Sequence, residues 1–285
     1  MAFLIGISLN VGFVVLEAIY GFAANSMALL ADAGHNLSDV FGLLMAWGAA
    51  AAGKRAASKR FTYGWRKSSV LAALFNAVFL LVAVGAIAVE AVRRFGEPQS
   101  VSSTTVMVVA ALGIAINGAT ALLFARGPAG DINIRGAYLH MASDAAVSAG
   151  VVVSGFIIAR TGWAWLDPVT SLAIVAVIVF GTWGLLRDSV TMAMDAVPPS
   201  IEPGAVEAAL GNLPGVAQVH HMHIWPMSTT ESALTAHLVT PEGQPGDAFL
   251  RDVCAMLKTR FGIQHATIQV EIDEAACALG ADHSH

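Results

Sequence analysis

The chain has 285 residues, of which 56% are hydrophobic and only 12% are charged, and its mean hydropathy is +0.68. Soluble domains carry roughly 25% charged residues, so this composition excludes an ordinary soluble domain and indicates a membrane protein in a lipid bilayer. The net charge of −5 argues against nucleic acid as a partner.

Six apolar runs follow one another from the start of the chain. Each is close to the roughly 20 residues that a helix needs to cross the hydrocarbon core, so we expect a six-helix transmembrane domain over residues 1–195. The first run has no basic segment before it, which favours a retained span over a cleaved signal peptide. The runs lie at residues 2–24, 28–52, 68–92, 104–125, 136–160 and 166–187.

Basic residues predict how the chain is oriented. The loop after the second run, GKRAASKRFTYGWRK, holds six Lys and Arg residues, whereas the loop between the first two runs holds none. Cytoplasmic loops carry the excess of Lys and Arg, so an even number of spans leaves both termini in the cytoplasm. We therefore expect a multi-pass protein of the bacterial inner (cell) membrane.

After about residue 196 the composition becomes that of a soluble domain. Short amphipathic helices and alternating strands follow in the order α-β-β-α-β, which predicts a cytoplasmic ferredoxin-like α/β domain over residues 196–275. Residues 276–285 are expected to form a flexible tail. From residue 196 onward ten acidic residues stand against three basic ones, so a cation is the natural partner of this domain.

Two of the apolar runs contain the same pair of polar residues. In LLADAGHNLSDVFGLL, His35 is followed four positions later by Asp39, and in YLHMASDAAVSAGVVV, His140 is followed by Asp144. Residues four apart lie on one face of a helix, so two such helices packed face to face bring together two imidazoles and two carboxylates. This set suits a tetrahedral Zn²⁺ ion, and the two carboxylates balance its charge.

The same four side chains also bind protons. When the metal leaves, two carboxylates in a low-dielectric pocket take up protons, so metal and protons compete for the same atoms. That competition is the minimum requirement of a metal/proton antiporter. The alternative is that these residues form structural hydrogen bonds between helices, although ionisable groups inside a membrane are costly and usually functional.

Several other residues have open roles. Asp32, one turn before His35, either lines the mouth of the site or caps the N-terminus of its helix. Glu17 in the first run is a candidate for a proton route or a cavity wall, with a purely structural role as the alternative. The two cysteines, Cys254 and Cys277, form no CxxC pair and are interpreted as ordinary thiols.

Motifs along the whole chain carry a family resemblance. They are SMALLADAGHNLSDV, FTYGWRKSSVLAALFNAV, GAYLHMASDAAVSAGVVV, WLDPVTSLAIVAVIV, LPGVAQVHHMHIW and ALTAHL. The sequence resembles the cation diffusion facilitators, and in particular their zinc-transporting branch. The resemblance implies a homodimer that exports cytoplasmic Zn²⁺ in exchange for protons, with the transport site on His35, Asp39, His140 and Asp144.

The resemblance also implies a metal site in the cytoplasmic domain, which falls on His220, His237 and Glu271. Independently of it, strand alternation in VHHMHIW sends His220 to one face and both His221 and His223 to the other. We therefore expect that these three histidines of one strand do not serve a single site.

A further implication of the resemblance is an ion pair between Lys67 and Asp195 at the junction of the two domains. We expect this pair to act as a hinge, with ordinary interfacial charges as the alternative.

Three other functions are weighed against zinc/proton antiport. An enzyme is not expected, because the chain lacks a His-Glu-x-x-His motif and four protein ligands close the coordination shell. An efflux transporter of broader specificity for Cd²⁺, Co²⁺ and Ni²⁺ stays open. So does a membrane metal sensor or scaffold that does not transport.

Overall fold

The structure is a computed structural model of the chain. Its backbone description covers residues 2–97, 99–125, 132–273 and 277. Side chains are described for residues 11–97, 99–122, 140–273 and 277. The predicted flexible tail, residues 276–285, therefore lies outside the described residues except for Cys277.

Six long helices occupy the positions of the six apolar runs. Within the described residues, four stretches are long and apolar enough to cross a membrane, namely Ser68–Gly96, Ser103–Leu122, His140–Thr161 and Leu166–Ala193; the apolar stretch Val11–Ala23 is shorter. The helices are α1 Ala2–Ala23, α2 Met27–Gly53, α3 Ser68–Gly96, α4 Ser103–Ala125, α5 Ile132–Thr161 and α6 Leu166–Ala193.

The chain divides into two compact units. The first unit is Met1–Met45 with Phe75–Gly184, and the second is Ala46–Leu74 with Leu185–His285. The first unit therefore holds most of the six helices. The second holds the α-β-β-α-β segment together with the loop between α2 and α3.

Close helix packing in the first unit depends on small residues. A Cβ atom at Gly113 of α4 would lie 2.7 Å from the Phe13 ring of α1 and 3.1 Å from Ser148 Oγ of α5. A larger residue at position 113 would therefore displace the Phe13 ring, so glycine suits this close approach of the three helices. The apolar core around this point includes Phe13, Leu29, Leu80, Val84, Val106, Val109, Val151 and Ile178.

The N-terminus of α2 is closed by a side chain from another helix. Asp167, in the first turn of α6, accepts hydrogen bonds from Ser26 Oγ at 2.5 Å and from the Met27 backbone N–H at 2.7 Å. The first N–H groups of a helix have no partner inside it, so a buried helix start needs an acceptor of this kind. Asp167 is 2% exposed and joins the starts of α2 and α6.

The second unit contains the predicted α-β-β-α-β fold. A three-stranded sheet has the order β1-β2-β3, with β1 and β2 antiparallel and β2 and β3 parallel. Val206 and Leu210 of α7 and Val253 and Leu257 of α8 are buried in its core. The elements are α7 Pro203–Gly211, β1 Gln218–Pro226, β2 Ser232–Val239, α8 Gly246–Phe261 and β3 Ile263–Glu271.

We predict that Asp167→Ala destabilises the protein by about 1–2 kcal/mol, because the Ser26 hydroxyl and the Met27 N–H lose a buried acceptor. The measurement is reversible unfolding of the detergent-solubilised protein. Asp188→Ala, at an exposed position of the same helix, is the control and leaves stability within about 0.5 kcal/mol. Equal effects of the two substitutions would contradict the capping role.

Candidate metal sites

The two His-Asp pairs predicted from the sequence meet between α2 and α5. His140 Nε2 lies 3.3 Å from Asp39 Oδ2 and 3.6 Å from Asp144 Oδ2. His35 Nε2 lies 3.5 Å from Asp144 Oδ1 and 3.8 Å from Asp39 Oδ2. Each imidazole thus contacts the carboxylate of its own helix and the carboxylate of the other helix.

The nitrogen-to-oxygen spacing around this cluster is close to that of a tetrahedral coordination shell. Ligands at the usual Zn²⁺ distances from nitrogen and oxygen stand about 3.3–3.6 Å apart along the edges of a tetrahedron, and the four nitrogen-to-oxygen distances lie near this range. Asp39, His140 and Asp144 each offer one ligand atom within 4.8 Å of the other two. His35 lies outside this closer group, so its side chain has to shift toward the other three before all four can bind one cation.

Burial and hydrogen bonding are uneven around this cluster. Asp144 is 1% exposed, whereas the side chains of His140 and Asp39 are 42% and 32% exposed. Apart from the imidazole contacts above, Asp39 Oδ2 and Asp144 Oδ2 are buried without a hydrogen-bond partner among the described residues. Buried carboxylate oxygens without a partner are costly, and a bound cation or proton removes that cost.

A second group of polar side chains lies beside the cluster. Ser148 Oγ, one turn beyond Asp144, donates a hydrogen bond to Asp32 Oδ2 at 2.9 Å. Asn36 Nδ2 donates one to Glu17 Oε2 at 3.2 Å, and both Glu17 and Asp32 are fully buried. Because α2 begins at Met27, Asp32 lies inside the helix and does not cap it. No pattern in the sequence predicted these contacts of Ser148 and Asn36.

The cytoplasmic domain brings together a different set of ligands. His220 of β1 and His237 of β2 are directly paired across the antiparallel strands. Glu271 is the last residue of β3. Its Oε2 atom lies 2.9 Å from His220 Nε2, and its Oε1 atom lies 3.0 Å from His237 Nδ1. The three predicted residues therefore converge from all three strands of the sheet.

The ionisation states of this group suit a metal ligand set. Burial lowers the pKa of His237 in spite of the nearby Glu271 carboxylate. Burial by itself raises the pKa of Glu271, but hydrogen bonds from Gln269 and His220 and the charge of His237 bring that pKa below its ordinary value. Neutral imidazole and ionised carboxylate are the forms that bind a divalent metal.

Strand alternation predicted that His221 lies on the opposite face of β1 from His220, and this prediction is wrong. The β1–β2 register shifts between His220 and His223, and His221 has a left-handed backbone with φ 47°. This β-bulge turns the His221 ring to within 5.1 Å of the His220 ring and 5.2 Å of the His237 ring, centroid to centroid. A bulge breaks the two-residue period on which the prediction depended.

The predicted hinge residues are in contact. Lys67 Nζ donates a hydrogen bond to Asp195 Oδ1, and Asp195 follows α6 with a left-handed backbone, φ 60°. The neighbouring Arg66 makes a second ion pair, with Nη1 2.8 Å from Glu231 Oε2. The loop between α2 and α3 is thus held by two adjacent basic residues to different parts of the second unit.

Comparison with known proteins places the whole chain in one family. Residues 3–193 match the cation efflux transmembrane domain, and residues 198–273 match the cytoplasmic domain of cation efflux proteins. The metal-bound C-terminal domain of the CzcD transporter from Cuprividus metallidurans is a solved structure that is 33% identical, with 25% of this chain and 99% of that chain covered and a TM-score of 0.22.

Full-length relatives align over most of the chain. The metal cation efflux system protein CzcD of Cupriavidus metallidurans is 35% identical over 98% of this chain and 89% of its own length. The zinc transporter ZitB of Escherichia coli is 34% identical over 91% of this chain and 83% of its own length. The cadmium, cobalt and zinc/H(+)-K(+) antiporter of Bacillus subtilis is 31% identical over 95% of this chain and 88% of its own length. The chain therefore belongs to the cation efflux family, the cation diffusion facilitators, and is a multi-pass membrane transporter of metal cations, not an enzyme.

Proposed function

We propose that this protein exports Zn²⁺ from the cytoplasm in exchange for protons, with His35, Asp39, His140 and Asp144 as the transport site. The observation that carries the proposal is the alternating ring of two imidazole nitrogens and two carboxylate oxygens, with neighbouring atoms 3.3–3.8 Å apart. Nitrogen and oxygen ligands at tetrahedral spacing suit Zn²⁺. Two carboxylates also neutralise its charge.

Proton exchange follows from the charge of the empty site. Once the metal has left, the two carboxylates and two imidazoles can bind protons at the atoms that held the metal, so metal and protons compete for the same site. An incoming cation then displaces those protons. Transport in one direction requires that the loaded and protonated forms open to opposite sides of the membrane.

Glu17 and Asp32 are assigned an accessory role in this exchange. Asp32 is linked through Ser148 to the helix turn that carries Asp144, and Glu17 is linked through Asn36 to the turn that carries His35. Both carboxyl groups are fully buried. This position suits a proton route, the alternative that the sequence left open for Glu17.

A broader range of cargo is the second candidate. The relative from Bacillus subtilis carries cadmium and cobalt as well as zinc in its name. The same ligand set accepts several divalent transition metals, and the choice among them depends on ligand type and geometry. Zinc is proposed as the main cargo because two imidazoles and two carboxylates match its preferred ligands.

The cytoplasmic domain is proposed to bind metal through His220, His237 and Glu271 and to join two copies of the chain. Its match to the dimerising cytoplasmic domain of the family supports a homodimer. Metal at this site would link three strands of one sheet, and a metal-dependent change at a dimer interface is one route by which it would influence transport.

We predict that Asp39→Ala and Asp144→Ala each abolish zinc flux, because an open coordination position and an unbalanced charge prevent binding. The measurement is zinc entry into liposomes containing the purified protein under an imposed pH difference, with empty liposomes as the baseline. Glu97→Gln, an exposed acid at the end of α3, is the control and keeps wild-type flux. Metal-driven dimer rearrangement without any flux from the wild type would instead identify a sensor.

We predict that His35→Asp keeps transport but admits Cd²⁺ better relative to Zn²⁺. A third carboxylate in place of an imidazole offers more oxygen atoms, which suit a larger ion with a higher coordination number. The measurement is competition between the two metals in the same liposome assay, with His265→Asp as an exposed control. An unchanged metal ranking would count against His35 as a ligand.

We predict that Lys67 and Asp195 act as one unit in the transport cycle. Lys67→Gln and Asp195→Asn each lower the rate of zinc flux, and the double variant is no slower than either single variant. Asparagine tolerates the left-handed backbone of position 195, so the change removes the charge alone. Because the side chains of Lys67 and Asp195 are both exposed, we expect a coupling energy between the two substitutions of about 0.2–1 kcal/mol.

The control for this cycle is Lys59→Gln, an exposed position of the same loop. Additive losses in the double variant, or an equal loss from Lys59→Gln, would show that the pair consists of ordinary interfacial charges.

A further inference from the structure

Cys277 lies at the cytoplasmic ligand group, although the sequence marked it as an ordinary thiol. Its Sγ atom is 3.6 Å from His237 Nδ1, the same nitrogen that faces Glu271 Oε1 at 3.0 Å. One ligand atom from each of His220, His237, Glu271 and Cys277 lies within 4.8 Å of the other three. The side chains come from β1, β2, the end of β3 and the chain beyond it.

The geometry matches a closed tetrahedral site. Ligand atoms around Zn²⁺ are about 3.3–3.8 Å apart when one of them is sulfur, since the metal–sulfur bond is longer than bonds to nitrogen and oxygen. The contact of 3.6 Å between Cys277 Sγ and His237 Nδ1 lies within this range. The two nitrogen–oxygen contacts of 2.9 and 3.0 Å are hydrogen-bond distances, which have to lengthen by a few tenths of an ångström when a metal enters between the atoms. Without Cys277, the two histidines and Glu271 would leave one position of the tetrahedron open.

Charge and burial favour the same set. His237 is 7% and Glu271 is 6% exposed, so two of the four side chains are removed from water, while His220 and Cys277 are partly buried. The carboxylate and a thiolate together balance a divalent ion, while both histidines bind in the neutral form. When the metal binds, the thiol loses its proton to water and the sulfur forms the bond to the metal.

We propose that Cys277 is the fourth ligand of a closed site for a thiophilic divalent cation such as Zn²⁺ or Cd²⁺, with His220, His237 and Glu271. This inference rests on the cytoplasmic metal site proposed above and adds sulfur to its ligand set. Sulfur shifts the preference of the site toward softer metals and away from Mg²⁺ and Mn²⁺. Metal binding also ties the chain beyond β3 to β1 and β2.

Co²⁺ bound to the purified full-length protein tests this ligand set. A cobalt–thiolate bond gives a sulfur-to-metal charge-transfer band in the near ultraviolet, and the sequence has only two cysteines, Cys254 and Cys277, which makes the band diagnostic. We expect the band in the wild type and in Cys254→Ser, and its loss in Cys277→Ser and His237→Ala. Cys254 is exposed on α8 and is therefore a matched control.

Thiol alkylation of the wild type gives a second measurement that needs no variant. Saturating Zn²⁺ is expected to slow modification of Cys277 by at least about tenfold, in proportion to the bound fraction, and to leave Cys254 unchanged. Mass spectrometry separates the two sites. Equal rates with and without Zn²⁺ would overturn the proposal and leave only a thiol–imidazole hydrogen bond.

The outcomes separate this inference from those on which it rests. Cobalt bound to the cytoplasmic domain without the charge-transfer band would keep the three-ligand site and reject Cys277. If no cobalt binding depends on His237 or Glu271, both the three-ligand site and Cys277 as its fourth ligand are rejected. Asp39→Ala, which removes a transport ligand, is expected to keep the band, so a failure of the transport proposal would leave this result intact.

Discussion

The meeting of two His-Asp helix turns between α2 and α5 is the contact on which the chemistry of the membrane unit depends. Two carboxylates held beside two imidazoles repel each other unless a cation or protons neutralise them. How well these helices pack therefore depends on what occupies the cluster. Asp144 is buried while His140 is half exposed, so the two sides of the cluster are enclosed by the protein to different extents.

Polar contacts along α2 position its half of this cluster. Its first turn is capped by Asp167 of α6, its second turn reaches Ser148 of α5 through Asp32, and Asn36 reaches Glu17 of α1. Side chains inside a membrane gain little from apolar burial against each other, so such hydrogen bonds fix the rotation and register of a helix. Small residues such as Gly113 supply the close approach that the polar contacts require.

The cytoplasmic domain repeats the same charge balance with a different scaffold. Two histidines from neighbouring strands stand beside Glu271, and a thiol lies next to one of them. The proposed transport ligands come from two separate helices, whereas most of the proposed cytoplasmic ligands come from one hydrogen-bonded sheet.

The sequence by itself determined the six apolar helices, the α-β-β-α-β order and the four-residue spacing that places His35 over Asp39 and His140 over Asp144. These features depend on periods of a few residues, which can be read along the chain. Only the tertiary structure decided that Asp167 caps α2, that a bulge turns His221 toward His220, and that Cys277 lies beside His237. Such contacts join residues far apart in the chain or break a local period, and no local pattern encodes them.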